Sequence, residues 1–377
     1  MANESKRDTD VQAASCDFSE PPTLSASAPS DFPNVTIKST PEDFIVEEMP
    51  LYEPSGSGTH QYYWIEKRGI STTEAVRRLA SLIGKRASEA GVAGLKDARA
   101  VSSQWISFEH VEKDPAQIES ASTQELRIVK VCAHGNKLKM GHLRGNRFII
   151  RLRPSENIHG STLEAQARDV LLRLLKSGVP NYFGPQRFGD GGGNAALGKM
   201  LVLGDRSAFE SAFAEQNGRQ RRADRKIRNF LVNAFQAELF NRVLARRINE
   251  LGNLQAGDLA WLHRNGAVFR IRDEEEARRE QARADMFEIS PSGPLFGPKM
   301  ILAEEAPGAI ESEVLNEAGV KLEDFGRPEA ERQPGARRPL RIFFLEEPAV
   351  EADAEGIVVR FALPPGSYAT VVLREIC

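Results

Sequence analysis

Strand-like sequence stands at both ends of this chain, and the stretch between them does not continue it. Order begins near "VTIKSTPEDFIVEE" (35–48), where Phe44 and Val46 alternate with Ile45 and Glu47. At the far end, "LRIFFLEE" and "GIVVRFALPPGSYATVVLREI" (356–376) read as strands with no helical partner nearby in sequence. Strands need partners for their backbone groups, and the simplest partner is the sheet begun near residue 35. The chain is therefore expected to form one domain interrupted by another, which suits its 377 residues. The fold class is α/β (α+β). The expected division is a disordered tail over 1–33, a first domain built from 34–178 and 337–377, and an inserted α/β domain over 179–336.

The internal pattern fills in this layout. "QYYWIEKRG" (61–69) reads as a strand. Ser71 and Glu74 then form a capping box, followed by Val76, Leu79, Ala80 and Ile83 on one helical face and Gly84 as the stop. A short helix is expected around Lys85 to Ala90. Strands are expected at 101–108, 126–133 and 146–153. A helix follows with Leu163, Ala167, Val170, Leu171 and Leu174 on one face. "GVPNYFGPQRFGDGGGN" (178–194), with its six glycines, reads as a structured loop and a boundary. A long helix is expected from about Lys226 to Leu251.

Bulk properties narrow the function. No apolar run approaches the roughly 18 to 20 residues that span a bilayer, and the polar start "MANESKRDTD" is not a secretory signal. Cys16, Cys132 and Cys377 form neither a disulfide framework nor a CxxC pair, so a cytoplasmic protein is expected. The six histidines show no HExxH spacing, there is no GxSxG elbow, and no metal site is expected. "GDGGG" (189–193) is neither a P-loop nor a dinucleotide fingerprint, which leaves nucleotide cofactors without support.

Net charge is −3, yet charge is segregated along the chain. Residues 127–153 hold eight Lys or Arg and no Asp or Glu, and "RQRRADRKIR" (219–228) is basic at six of ten positions. Acidic residues collect in "DEEEARRE" (273–280) and "EEPAVEADAE" (346–355). Local positive fields of this kind attract phosphates, so Lys137, Lys139, Arg144, Arg221 and Arg222 are candidate contacts to an RNA backbone.

"GVAGLKDARAVSSQW" (91–105) supplies the candidate chemistry. An aspartate on a glycine-flanked turn between a helix and a strand sits at a sheet edge, where it faces a cleft. Asp97 in that position needs a cation to stay ionised once water is excluded, and Lys38 is a candidate. Asn146 and Phe148 share one strand face; the Asn146 amide both donates and accepts and suits a base edge. "LPPGSYAT" (363–370) is a turn expected to present Tyr368 at a strand start, where an aromatic ring can stack on a base.

Taken in order along the chain, "PEDFIVEE", "GLKDARAVSSQW", "GHLRGNRFII", "GVPNYFGPQRFG" and "LPPGSYATVVLRE" resemble the tRNA pseudouridine synthase D (TruD) family from about residue 35 to the C-terminus. The resemblance implies a catalytic pseudouridine-synthase domain with a long mixed or antiparallel sheet, interrupted by a family-specific inserted domain. It implies that uridine in tRNA, at position 13 of the D arm, is isomerised to pseudouridine without metal or cofactor. By this resemblance Asp97 is the catalytic carboxylate and Lys38 its cationic partner. Phe44, Asn146, Phe148 and Tyr368 surround the substrate. Some members carry Phe at the last position.

Such chemistry breaks the N1–C1′ bond, turns the base and joins C5 to C1′. A carboxylate can attack C1′ or C6, or remove the C2′ proton. Phe44, Phe148 or Tyr368 would sandwich the ring, and Asn146 would bind the base or hold the catalytic loop. Three rivals are a non-catalytic RNA-binding protein, a base methyltransferase and a purely structural interaction module; the first predicts loss of the aspartate, the second needs a cofactor site the glycines do not form, and the third leaves Lys96, Asp97 and Asn146 without purpose. Nothing suggests a coiled coil, and a monomer is expected.

Overall fold

A computed structural model describes residues 35–154, 160–189, 192–218 and 222–376 of the chain. The N-terminal tail, Asp190 and Gly191 of the glycine run, Arg221 and Cys377 lie outside the described residues.

The first sheet is built from both ends of the chain. From the N-terminal half come β1 (Phe44–Pro50), β2 (His60–Arg68), β3 (Gly91–Val92), β4 (Val101–Glu109), β5 (Leu126–His134) and β6 (Leu143–Leu152). Helices α1 (Thr72–Ile83) and α2 (Pro115–Glu119) fall between these strands, and α3 (Gly160–Ser177) follows them. Strand β7 (Val179–Pro180) leads out of this sheet. The second body contains α4 (Gly193–Leu203), α5 (Arg206–Asn217), α6 (Arg225–Arg246), β8 (Leu259–Leu262), β9 (Val268–Arg270), α7 (Glu274–Asp285), β10 (Ile289–Leu295), α8 (Glu305–Ala318) and β11 (Ala336–Pro339). The chain returns through β12 (Arg341–Ile342) and ends in β13 (Glu346–Asp353), β14 (Gly356–Leu363) and α9 (Ala369–Ile376).

Strand order in the first sheet is β13-β14-β6-β1-β4-β2-β5, with β3 pairing β4. Only the β1·β4 pair is parallel, so the sheet is mixed. The second sheet runs β11-β10-β8-β9. Strands β7 and β12 pair antiparallel, Val179 with Ile342, so the chain leaves and re-enters at one place. Strand β11 carries the second sheet to Pro339, past the expected boundary at 336.

Local sequence explains the elements that position the site. Ser71 caps α1 by accepting from the Glu74 N–H at 3.1 Å, a bond typically worth about 1 kcal/mol. The capping box is half formed, because the Glu74 carboxylate turns to Arg77 and Arg78. Gly84 ends the helix with φ 71°, a left-handed conformation that glycine adopts without a Cβ clash.

Three parts of the sequence reading change. Between Leu340 and Leu345 of "LRIFFLEE" only Arg341 and Ile342 form a strand, and it pairs with β7 rather than joining the first sheet. "SYATVVLREI" forms helix α9 rather than a strand, after the Pro364–Pro365–Gly366 turn. Its buried Ala369, Val372, Leu373 and Ile376 follow a helical spacing, and the adjacent β-branched valines conceal it. Tyr368 therefore precedes a helix, not a strand. The long helix over 226–251 also stops at Arg246, and a 3-10 turn (Ile248–Glu250) follows.

One face of the sheet is covered by helices, and the opposite face buries a smaller cluster of Tyr62, Trp105, Leu138 and Leu143. Phe44, Val46, Phe148, Ile150, Val359 and Phe361 pack against α3 and α9 at one end. Tyr63, Ile65, Ile106 and Phe108 pack against α1 at the other. Between these two covered ends the same face carries polar side chains, because register places Lys67 beside Ser102 and Ser102 beside Val46.

Candidate active site

Strand β4 changes partner along its length, and that fork creates the site. Its first residues pair with β1 and residues 106–107 pair with β3. The gap leaves the Trp105 N–H without a strand partner, and Glu48 of β1 fills it by accepting at 3.3 Å. The other Glu48 oxygen accepts from the Lys96 ammonium at 3.0 Å. Both side chains are nearly sealed, at 4% exposure for Lys96 and 1% for Glu48. Burial raises the Glu48 carboxyl above the usual carboxylate range, against the pull of Lys96 and the Trp105 N–H.

The turn between β3 and β4 is fixed from several sides. Thr72 of α1 accepts from the Lys96 N–H at 2.9 Å and donates to Gln104, whose amide donates to the Gly94 carbonyl. The Lys67 ammonium donates to the carbonyls of Ile70 at 2.8 Å and Asp97 at 2.5 Å. Burial lowers Lys67 to about 8, partly offset by the charge of Asp97. With Lys96 drawn inward, its neighbour Asp97 is turned out of the core.

Asp97 meets Lys38. The ammonium donates to Oδ2 at 2.8 Å, and both side chains are only partly buried. Gln186 donates to Oδ1 at 3.1 Å from the glycine-rich stretch that leads into the second body. Burial pushes the Asp97 carboxyl up, but Lys38, Gln186 and the charge of Lys67 outweigh it and hold the group below the usual carboxylate range. Lys38 has φ 59°, a left-handed conformation that costs a non-glycine residue about 1–2 kcal/mol. The bridge between Thr36 and Arg153 ties down the chain just before it.

The aromatic candidates divide. The Lys38 ammonium lies 4.1 Å from the centroid of the Phe44 ring, which is occupied in holding that cation. Phe148 is buried between Phe44 and Phe361, with centroids at 6.4 and 5.5 Å. Tyr368 keeps partly exposed surface and meets Phe183 edge-on at 6.2 Å. A Cβ on Gly184 would come within 2.9 Å of the Tyr368 ring, so glycine there lets the Gln186 loop close on it. Asn146 lies beside both Glu48 and Leu363 in register, and its Oδ1 is buried without a partner among the described residues.

The basic run behaves differently from its sequence. Arg127 pairs with Glu66, Arg147 with Glu47 and Glu346, and Arg151 and Arg153 with Asp43 and Glu355. Four of its eight basic residues are thus ion-paired, by Asp43, Glu47 and Glu66 of the N-terminal half and by Glu346, Asp353 and Glu355 of the acidic run. Strand alternation puts Arg147 on the face opposite Phe148, and Arg144 lines an open groove on that side with Trp64 and Arg147. Lys137 and Lys139 sit in the connection that crosses from β5 to β6, where Gly141 donates to the Ala93 carbonyl just before the turn that carries Asp97. Arg222 is exposed in the second body.

A family model described as tRNA pseudouridine synthase D (TruD) matches residues 33–231 and 214–376. The chain belongs to the tRNA pseudouridine synthase D (TruD) family. The tRNA pseudouridine synthase D of Geobacter metallireducens is 39% identical, over 90% of this chain and 94% of its own. That of Anaeromyxobacter dehalogenans (strain 2CP-C) is 42% identical, over 90% and 92%. The crystal structure of a putative TruD from Methanosarcina mazei superposes with a TM-score of 0.73 at 25% identity, covering 95% of this chain and 94% of that one. Its match extends over both bodies, so this TruD-family chain shares the arrangement as well as the first sheet.

Glu48, Lys67 and Gln186 escaped the sequence reading. For the first two a signal exists: Glu48 continues the inward positions of Phe44 and Val46, and Lys67 those of Tyr63 and Ile65. A charged residue at an inward strand position is costly unless paired. Among the described residues no group of three or more His, Cys, Asp or Glu side chains could hold a metal ion, and no helix is long and apolar enough to cross a membrane.

Removing the Lys38 charge isolates its effect on Asp97. In Lys38→Met, burial acts on the carboxylate unopposed by its closest cation, so the Asp97 pKa rises. If the ionised form is the active one, the acid limb of kcat/KM moves to higher pH. Activity at acid pH then falls at least about tenfold, with partial recovery as pH rises. An unchanged acid limb contradicts this role for Lys38.

Proposed function

We propose that this chain isomerises uridine 13 in the D arm of tRNA to pseudouridine in the cytoplasm, with Asp97 as the group that acts on the nucleotide. The observation that carries the reading is the Lys38–Asp97 contact at 2.8 Å on a turn held by Thr72, Gln104 and Lys67. An ionised carboxylate is thereby offered beside aromatic walls, while the neighbouring Lys96 stays inside the fold. Family membership supports the reaction class and the substrate. Residues 179–336 are taken as the inserted domain, which provides Gln186 and the second body's surface for the tRNA. Lys38, Asp97 and Gln186 all come from one chain, so a monomer suffices.

The reaction breaks the N1–C1′ bond, rotates the freed uracil and forms C5–C1′. N1 gains a proton and the C5 hydrogen is released, so the product is an isomer. Asp97 acts as nucleophile at C1′ or C6, or as base at C2′; all three routes require it ionised. Lys38 maintains that state when substrate excludes water. Tyr368, with its partly exposed ring, is the aromatic placed to stack on the turning base, and Phe148 closes the floor. Asn146, with an unpartnered amide oxygen, accepts a hydrogen bond from the base edge. Extruding the uridine costs a few kcal/mol, which phosphate contacts from Lys137, Lys139, Arg144, Arg221 and Arg222 offset.

Release of the C5 hydrogen gives the test. Transfer RNA carrying tritium at C5 of uridine is expected to lose one equivalent to solvent with the purified chain, and none when position 13 is cytidine. Undiminished release from the cytidine-13 RNA contradicts the site assignment; no release from either RNA contradicts the reaction.

A further inference from the structure

Arg187 follows Gln186, which reaches Asp97, and it stands beside Phe183, the ring that meets Tyr368. The Arg187 guanidinium lies over the Phe183 ring at 5.8 Å and the Phe230 ring at 5.3 Å. Two aromatic neighbours flank it without neutralising its charge. It makes no ion pair among the described residues, and its Nε is buried without a hydrogen-bond partner.

A second guanidinium stands against the same ring. Arg338 lies 4.2 Å from the Phe183 centroid, and its donors go to neutral groups: the Asn181 backbone and amide oxygens and the Gly366 carbonyl at 3.1 Å. Burial holds Arg338 down to about 10, opposed by Tyr368 and reinforced by the charge of Arg187. Buried Arg337 and Arg247 have carboxylate partners, Glu311 at 2.7 Å and Asp258 at 2.9 Å, whereas Arg341 donates to the neutral oxygens of Ser177, Ala284 and Ser290. Two like charges at one ring without a carboxylate are unfavourable until an anion joins them. A planar guanidinium suits two oxygens of one phosphate through its terminal nitrogens.

We propose that Arg187, backed by Arg338, binds the phosphodiester that flanks the target uridine. This rests on the reading of the chain as a uridine-modifying enzyme acting on RNA. A nucleotide whose ribose faces Asp97 carries a phosphodiester on each side, and the residue next to Gln186 is placed to meet one of them. The contact holds the extruded nucleotide by its backbone while the base is detached and turning. Arg338 positions Phe183 and adds charge without touching the RNA.

The test is a cycle between Arg187→Gln and a tRNA in which a neutral methylphosphonate replaces the phosphate 5′ or 3′ of the target uridine. Arg187→Gln is expected to weaken tRNA binding about tenfold. It should also reduce the slope of log K against log salt by about one. Arg187→Lys should restore the salt slope but only part of the affinity. At one of the two positions, methylphosphonate should cost wild type about as much and cost Arg187→Gln little more. Fully additive losses at both positions, or an unchanged salt slope with the fold intact by circular dichroism, overturn the proposal. The cycle is read in Kd as well as kcat/KM. It therefore judges Arg187 even for a preparation that binds tRNA without turnover, an outcome that counts against the synthase reading alone.

Discussion

Asp97→Asn is expected to lower pseudouridine formation by about 10⁴-fold or more, while the fold and the affinity for tRNA stay within a few-fold of wild type. The side chain keeps its size and loses its charge. The backbone carbonyl of residue 97 still accepts from Lys67, and Lys96 still anchors the turn on Glu48. Lys38 loses its carboxylate but is partly exposed, so solvent accommodates its charge. Residual turnover within about tenfold of wild type would remove Asp97 from the chemistry. A large fall in melting temperature would assign it to the fold instead.

Lys96→Met should have the largest effect on stability. It strands the Glu48 carboxylate at the fork between β1, β3 and β4, with the Trp105 N–H as its remaining donor. Breaking a buried pair from one side costs about 3–5 kcal/mol. The sign with pH follows from burial. Glu48 is already raised above the usual range in the folded chain, and without Lys96 it rises further. A raised folded-state pKa favours the protonated fold, so the penalty is smallest below the ordinary glutamate range near about 4.3 and grows as pH rises through the folded value. Denaturant unfolding across that range checks this. Glu48→Gln combined with Lys96→Met should recover part of the loss, because no unpaired charge remains. An equal penalty at acid and neutral pH would mean that lost packing, not charge, dominates.

The sequence made the first sheet legible where strand alternation was clean. β1, β2, β4, β5 and β6 lie close to their expected ranges, and the idea that the chain's ends share a sheet matches β14 pairing with β6. It failed where two periods compete: Val371 and Val372 favour strand locally, but tertiary burial of Ala369, Val372, Leu373 and Ile376 makes α9. Charge was the other blind spot. The acidic 346–355 run is distant from the arginines in sequence, yet its Glu346 and Asp353 reach Arg147 and Arg151 in the fold, so linear segregation overstated the exposed positive field.

The site was legible as residue types before it was legible as geometry. A turn carrying Asp97 called for a cation, and the structure brings Lys38 to it across 59 positions. Gln186 carries no charge and lies in a loop, so no periodicity or composition signal points to it. Its role follows only from where β7 and β12 fold the entry to the second body. Phe44 illustrates the converse: its residue type suggested stacking on a base, while the structure seats the Lys38 ammonium on its ring.

The central claim is that this carboxylate isomerises one uridine of the D arm. Its most direct test is site-by-site mapping of pseudouridine in tRNA from cells whose sole copy of this chain is wild type or carries Asp97→Asn. The account predicts pseudouridine at position 13 with the wild-type chain and unmodified uridine there with the variant, all other positions unchanged. Pseudouridine at position 13 persisting at the wild-type level in the variant cells would contradict it.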